Sequence, residues 1–275
     1  MPKRTRFVLV AFLIALSLWL STWVSVEYRF GLTLGISALT YILSVWVLFD
    51  DLKGIEWLTL VVLPVMFTLG SALFSNFLPN SIPRIFSRVF QVETAILLAG
   101  FFRLIYYILF AIGLYGVLLI ENIFSVASIR TIQLFRAARS VNFILTLVTS
   151  LFFFTAVFSL RLPFWWIGIG VFLTSFTLSF PSFWSVDLKN NYVSEVGKFA
   201  FTVGWLVSLV SLVLAFWPVK PFMGGLMLTS VLYALLGVME QRLSSKVYLE
   251  SAMEYLATVL IIMIIGFLTT SWTGG

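Results

Sequence analysis

Apolar residues run along this chain in blocks about 20 long, separated by short polar breaks that carry charge, Pro or Gly. A helix of about 20 residues is about 30 Å long, the thickness of a bilayer's hydrocarbon core. The pattern predicts spanning helices at 7–26, 30–49, 57–78, 101–120, 140–160, 163–186, 199–219, 221–239 and 255–271. The fold class that follows is all-α: a polytopic transmembrane helical bundle of about nine spans, one integral-membrane domain over 1–275 with no soluble domain. The fourth block is the least regular, because apolar sequence extends from Thr94 to Phe124, too long for one upright helix.

Two segments between the blocks have patterns of their own. Over 84–92, Ile85, Phe86, Val89, Phe90 and Val92 share one helical face while Arg84, Ser87, Arg88 and Gln91 share the other. That is the pattern of a helix lying flat in the membrane interface. Over 125–139 the arginines and apolar residues scatter around the wheel, which predicts a helix packed among the others at the inner face. The chain opens with Lys3, Arg4 and Arg6 before an apolar run, as a signal peptide does. Trp19 and Trp23 stand where a cleavage site would need small residues, so this is read as an uncleaved first span.

Loop charge sets the orientation. One set of alternate segments holds eleven Lys and Arg: Lys3, Arg4, Arg6, Lys53, Arg130, Arg136, Arg139, Lys189, Lys198, Arg242 and Lys246. The other holds five: Arg29, Arg84, Arg88, Arg161 and Lys220. The positive-inside rule then predicts a cytoplasmic N-terminus, an outside C-terminus and residence in the plasma (inner) membrane. Most Trp residues, among them Trp23, Trp46, Trp57, Trp165, Trp166 and Trp184, fall near predicted span ends, as an aromatic belt requires.

Composition narrows the chemistry. With 61% hydrophobic and 10% charged residues, the chain is neither an ordinary soluble domain, which has roughly a quarter charged residues, nor disordered. It contains no Cys and no His, which excludes disulfides, Cys or His metal ligation, thiol catalysis and a histidine base. Eleven carboxylates, with Lys and Tyr behind them, remain for acid–base or metal work. The net charge of +6 belongs to the loops of a membrane protein and predicts no nucleic-acid partner.

Charge within a span is the usual pointer to function. Arg103 is the one charge inside a predicted span. A span starting near Phe101 lets it snorkel to the outer edge; one starting near Thr94 buries it and calls for a partner such as Glu93 or an anionic lipid. Glu121 closes the fourth span. The inner-face acids Asp50, Asp51, Glu56, Asp187 and Glu195 form a second candidate group; beside Lys53 and Lys189 they also read as ordinary solvated loop charges. Were Asp51 and Asp187 to face each other, they would suit Mg²⁺, a hard ion that takes oxygen ligands. Pro64 and Pro181 interrupt spans three and six. Gly31 and Gly35 form a small-xxx-small pair, and Gly168, Gly170, Gly224 and Gly225 allow close helix approach.

An order of features recurs between halves 1–124 and 140–240, with the span 255–271 left over. Phe49-Asp50-Asp51-Leu52-Lys53 after span two matches Ser185-Val186-Asp187-Leu188-Lys189 after span six. Glu121-Asn122 after span four matches Glu240-Gln241 after span eight. Four spans per unit gives a 4+4+1 arrangement with parallel repeats.

The stretches Leu118–Phe124, Ala127–Leu134 and Ala215-Phe216-Trp217-Pro218-Val219 resemble a group of polytopic bacterial integral-membrane proteins with no assigned activity. That resemblance implies location and architecture. The layout is also distantly similar to membrane-embedded aromatic prenyltransferases, which hold an isoprenoid diphosphate through Mg²⁺ on two Asp-rich loops. The first loop here, Asp50-Asp51-Leu52-Lys53-Gly54-Ile55-Glu56, lacks that family's Asn-Asp-x-x-Asp-x-x-x-Asp spacing, and the second holds only Asp187 and Glu195 around Asn190 and Asn191.

The leading functional expectation is a non-catalytic membrane subunit, scaffold or lipid-associated factor, needing no cofactor, whose partners are the lipid bilayer and a membrane protein or a second copy. A carrier or flippase for an apolar or lipidic substrate is the first alternative. A Mg²⁺-dependent enzyme acting on an isoprenoid diphosphate is the second.

Overall fold

The computed structural model describes residues 3–48, 56–78, 92–129, 133–186, 188, 193–244 and 249–270. All of the regular structure among them is helical: α1 Lys3–Ser21, α2 Val26–Leu48, α3 Glu56–Thr59, α4 Val62–Ser75, α5 Val92–Ile129, α6 Phe135–Ser159, α7 Phe164–Trp184, α8 Val193–Ala215, α9 Pro221–Leu243 and α10 Leu249–Thr269. Eight of these are long and apolar enough to cross a membrane, so the polytopic helical bundle is the fold.

The third predicted span is the exception. It appears as α3 and α4, separated at Leu60 and Val61. Pro64 explains the break. Its ring occupies the space in which the carbonyl of Leu60, four residues back, would continue a helix, and it has no N–H to offer that carbonyl. The fourth span is longer than expected. Helix α5 runs unbroken for 38 residues, about 57 Å of axis, so it is much longer than the membrane is thick. Its end at Ile129 absorbs the first part of the segment expected to form a separate inner helix, and α6 takes up the rest from Phe135. The expected interfacial face of Ile85, Phe86, Val89 and Phe90 lies outside the described residues.

Helices α4 and α5 run antiparallel. Phe67 of α4 packs on Phe110 and Gly113 of α5, while Ser71 of α4 meets Tyr106. We call the end of the bundle that carries Lys3 the near end. In the set α1, α2, α4, α5 and again in the set α6, α7, α8, α9, the first helix touches the second and fourth, and the third touches the same two. The sets meet where α4 and α5 pack on α6. Helix α10 packs on α9, with Gly266 its single fully buried residue.

The inside and outside are distributed as lipid requires. Leu13, Phe12, Ile42, Leu109, Ile112, Val213 and Leu268 face outward, a surface no water-soluble monomer keeps. Many small hydroxyl residues point inward: Thr33, Ser37, Thr40 and Ser44 down one side of α2, and Ser175, Ser179 and Ser182 down one side of α7. Several bond back to their own helix, Ser37 to the Thr33 carbonyl at 2.8 Å and Thr40 to the Ile36 carbonyl at 2.9 Å.

Some packing expectations are corrected in detail. Trp184 is not a belt residue: it is 1% exposed and sits in the core at the end of α7. Gly31 and Gly35 have no heavy atom of the described residues within 4 Å of where a Cβ would sit, so this pair does not join two of the described helices. Gly168, Gly224 and Gly225 do pack closely on a neighbouring helix, as expected, and so do Gly70, Gly113, Gly204, Gly237 and Gly266, whereas Gly170 has only ordinary contact with Val157; at Gly225 the backbone nitrogen of Thr155 lies 2.8 Å from the Cβ position.

Candidate functional site

Among the described residues a cleft opens at the near end, between the start of α6, the end of α9 and the start of α10. Its volume is about 610 Å³. Each wall follows from local sequence. Helix α6 begins with Phe135-Arg136-Ala137-Ala138-Arg139-Ser140, so Arg136, Arg139, Ser140 and Phe143 recur at helical spacing along one side. Helix α9 supplies Gly237, Glu240 and Gln241, and Ser244, which caps the helix, continues the same spacing. Helix α10 contributes Tyr255, whose ring packs directly on Gly237, where any Cβ would collide with it. Tyr233 meets the Tyr255 ring edge-on at 5.0 Å and the Phe143 ring at 5.8 Å.

Glu240 organises the floor. One carboxylate oxygen, Oε1, accepts a hydrogen bond from Ser182 Oγ of α7 at 2.9 Å. The other, Oε2, lies 3.5 Å from Arg139 Nη2. Side-chain exposure is 16% for Glu240 and 27% for Arg139, so the pair is largely withdrawn from water and ties α6, α7 and α9 together. Gln241 Nε2 donates to Tyr255 Oη at 3.4 Å, which fixes the third wall. Arg136 is exposed at the rim and meets no carboxylate among the described residues. The cleft therefore presents two guanidinium groups against one carboxylate, over the apolar surface of Phe135, Phe143 and Ile144.

A second, smaller groove of about 250 Å³ lies where the two helix sets meet, between α4, α5 and α6. Phe67, Tyr106, Phe110 and Phe152 line it with aromatic faces. Tyr106 Oη donates to the Ser71 carbonyl at 2.8 Å.

The residues singled out from sequence are scattered. Asp50, Asp51 and Asp187 lie outside the described residues, as do the side chain of Glu93 and the segment 79–91. Glu56 is buried at the start of α3, whereas Glu195 is exposed in the first turn of α8. Among the described residues no three acids gather as a metal would need. Arg103 is half-buried in α5, eleven residues beyond the helix start at Val92. Glu121 is not at a helix end: α5 continues to Ile129, and Glu121 is 2% exposed in its buried side, with no donor to its carboxylate among the described residues. Glu240 is likewise within its helix, not in the loop beyond it.

Arg139, Arg136, Ser182 and Tyr255 escape a reading that looks for charge inside spans or acids in loops. Their signal is a paired one: two arginines three apart at the entry to an apolar helix, and a Glu-Gln pair in the last turns of another. Comparison of the chain with family models, curated proteins and solved structures finds no match.

Proposed function

We propose that this multi-pass membrane protein is a non-catalytic, lipid-associated factor that holds the anionic head of an amphiphile in the cleft at the near end. The observation that carries the reading is the position of Arg136 beside the Arg139–Glu240 pair, at the rim of a cleft about 610 Å³ in volume. Basic pockets between transmembrane helices suit phosphate-bearing lipid heads, because guanidinium groups match phosphate oxygens in both charge and geometry. Glu240 holds Arg139 in place, which leaves Arg136 to meet the ligand. The apolar residues Phe143 and Ile144 then receive the first carbons of the chains. This reading places the near end in the cytoplasm, where the excess of Lys and Arg belongs.

Native mass spectrometry of the gently extracted full chain tests this. One equivalent of a phosphate-bearing lipid is expected to travel with the wild type and to be lost at least about tenfold more readily from Arg136→Gln. A wild type that carries no such lipid, or a variant that retains it equally, overturns the reading.

The alternative of a carrier for an apolar substrate draws support from the groove between the two helix sets, since carriers of repeated architecture bind at such a junction. Transport of a labelled lipid across reconstituted vesicles separates it from the first reading, which expects binding without net movement.

A further inference from the structure

The walls of the near-end cleft differ in chemistry. On α6, Ser140 Oγ donates to the Arg136 carbonyl at 3.3 Å, so that hydroxyl is spent on its own helix and the wall presents Arg136 and Arg139. The other walls, from α9 and α10, bring no cation to the lining and offer the neutral groups of Gln241, Ser244 and Tyr255. Tyr255 is held in three ways. Its ring lies on Gly237, where no Cβ fits; Tyr233 meets it edge-on at 5.0 Å; and its Oη accepts from Gln241 Nε2 at 3.4 Å. Because that oxygen accepts, its own proton remains to be donated, and Tyr255 is only partly buried in the cleft wall. A phenol seated this firmly is a pre-organised donor for a ligand oxygen.

Charge limits the choice of ligand. Arg139 is paired with Glu240, so the lining has one cation to spare. One spare cation matches the single charge of a phosphodiester better than the higher charge of a phosphomonoester or bisphosphate. Glu250 and Glu254, exposed on α10 outside the lining, oppose any further negative charge. A head bearing an ammonium group finds no open carboxylate on the walls, because both Glu240 oxygens are engaged, by Ser182 and by Arg139. Size points the same way. A cavity of roughly 150 Å³ holds benzene, so a cleft of about 610 Å³ has room for a phosphate on Arg136 and several further atoms beyond it.

We propose that the cleft selects a lipid with a singly charged phosphodiester and free hydroxyls in its head, the chemistry of a glycerol-headed phospholipid. Arg136 takes the phosphate, and Tyr255 Oη and Ser244 Oγ meet the hydroxyls. This rests on the reading of the cleft as a head-group site and adds which head it takes.

The experiment is a native mass-spectrometric titration of the full chain with dioleoyl-phosphatidylglycerol, dioleoyl-phosphatidic acid and dioleoyl-phosphatidylethanolamine. The three share their chains. The second lacks head hydroxyls, and the third carries an ammonium in their place. One equivalent of phosphatidylglycerol is expected to bind the wild type, about fivefold more tightly than either of the others. Tyr255→Phe keeps the ring on Gly237 and is expected to erase that preference while leaving phosphatidic acid unchanged, which also verifies its fold. Should Tyr255→Phe fail to fold, Ser244→Ala carries the same test. Arg136→Gln is expected to weaken phosphatidylglycerol and phosphatidic acid alike. The free head, glycerophosphoglycerol, has no chains to rest on Phe143 and Ile144 and is expected to compete at least about tenfold less well. Binding of none of the lipids overturns the head-group reading itself. Phosphatidic acid binding as tightly as phosphatidylglycerol, with both weakened by Arg136→Gln, leaves that reading standing and overturns the choice of head. So does equal binding of phosphatidylethanolamine, or a Tyr255→Phe variant that prefers phosphatidylglycerol as the wild type does. Equal competition by the free head overturns a lipid as its source.

Discussion

Arg139 and Glu240, 101 positions apart, meet at 3.5 Å and hold the near ends of α6 and α9 together. The carboxylate is shared with Ser182, so three helices depend on it. Truncating one member strands the other in a largely dry place, which is worse than losing both. Arg139→Ala is expected to lower stability by about 1–3 kcal/mol. Adding Glu240→Gln to it should recover part of that loss. Thermal unfolding of the single and double variants in one detergent measures the coupling, and strict additivity would mean that the pair contributes nothing.

Glu121 is the opposite case. It is more buried than Glu240, yet among the described residues nothing donates to its carboxylate. A neutral side chain of the same shape loses no bond there and removes the cost of a charge. Glu121→Gln is expected to leave the melting temperature unchanged or to raise stability by up to about 1 kcal/mol. Glu240→Gln, by contrast, should lower it. The same unfolding assay compares the two, and a clear loss in Glu121→Gln would reveal a partner for its carboxylate.

Spans and sites were legible in the sequence to different degrees, for a physical reason. A spanning helix is a local property: about 20 apolar residues must satisfy their own backbone, and any such run declares itself. That is why α1, α2 and α6 to α10 fall where hydropathy puts them. The α3–α4 break was half visible, since Pro64 was plain but its effect on Leu60 needs the helix register. The cleft was hidden because Arg139, Ser182, Glu240 and Tyr255 come from four helices, and no single window contains two of the helices that meet. Glu121 and Glu240 looked like loop charges because hydropathy ends a span at a carboxylate, whereas the helix continues past it.

Glycine positions show the same limit and give a sharp contrast. Gly225 lies against the Thr155 backbone, which cannot yield as a flexible side chain would. Gly225→Ala must separate α6 from α9 and is expected to cost about 1–3 kcal/mol. Gly35 is also helical but faces open space. Gly35→Ala loses only backbone freedom in the unfolded chain and is expected to stabilise by about 0.5–1 kcal/mol. Equal effects from the two substitutions would contradict the packing described for α2 and α9.

Pro64 sits in the first turn of α4, where its missing N–H would have little to bond within that helix. What it prevents is the joining of α4 to α3. The amide of Leu60 already bonds the Glu56 carbonyl at 2.9 Å, and that of Val65 reaches the Val61 carbonyl at 3.4 Å, so the two pieces flank the gap in nearly helical form. Pro64→Ala supplies an N–H that can reach the Leu60 carbonyl and removes the ring that pushes it aside. The expected outcome is one continuous helix from Glu56 to Ser75, about 30 Å long and able to span the hydrocarbon core by itself. Hydrogen exchange monitored peptide by peptide across 56–66 reads this directly. Slower exchange at Leu60 to Leu63 in the variant supports proline as the cause of the break. Unchanged exchange would assign it instead to packing of α3 against α7.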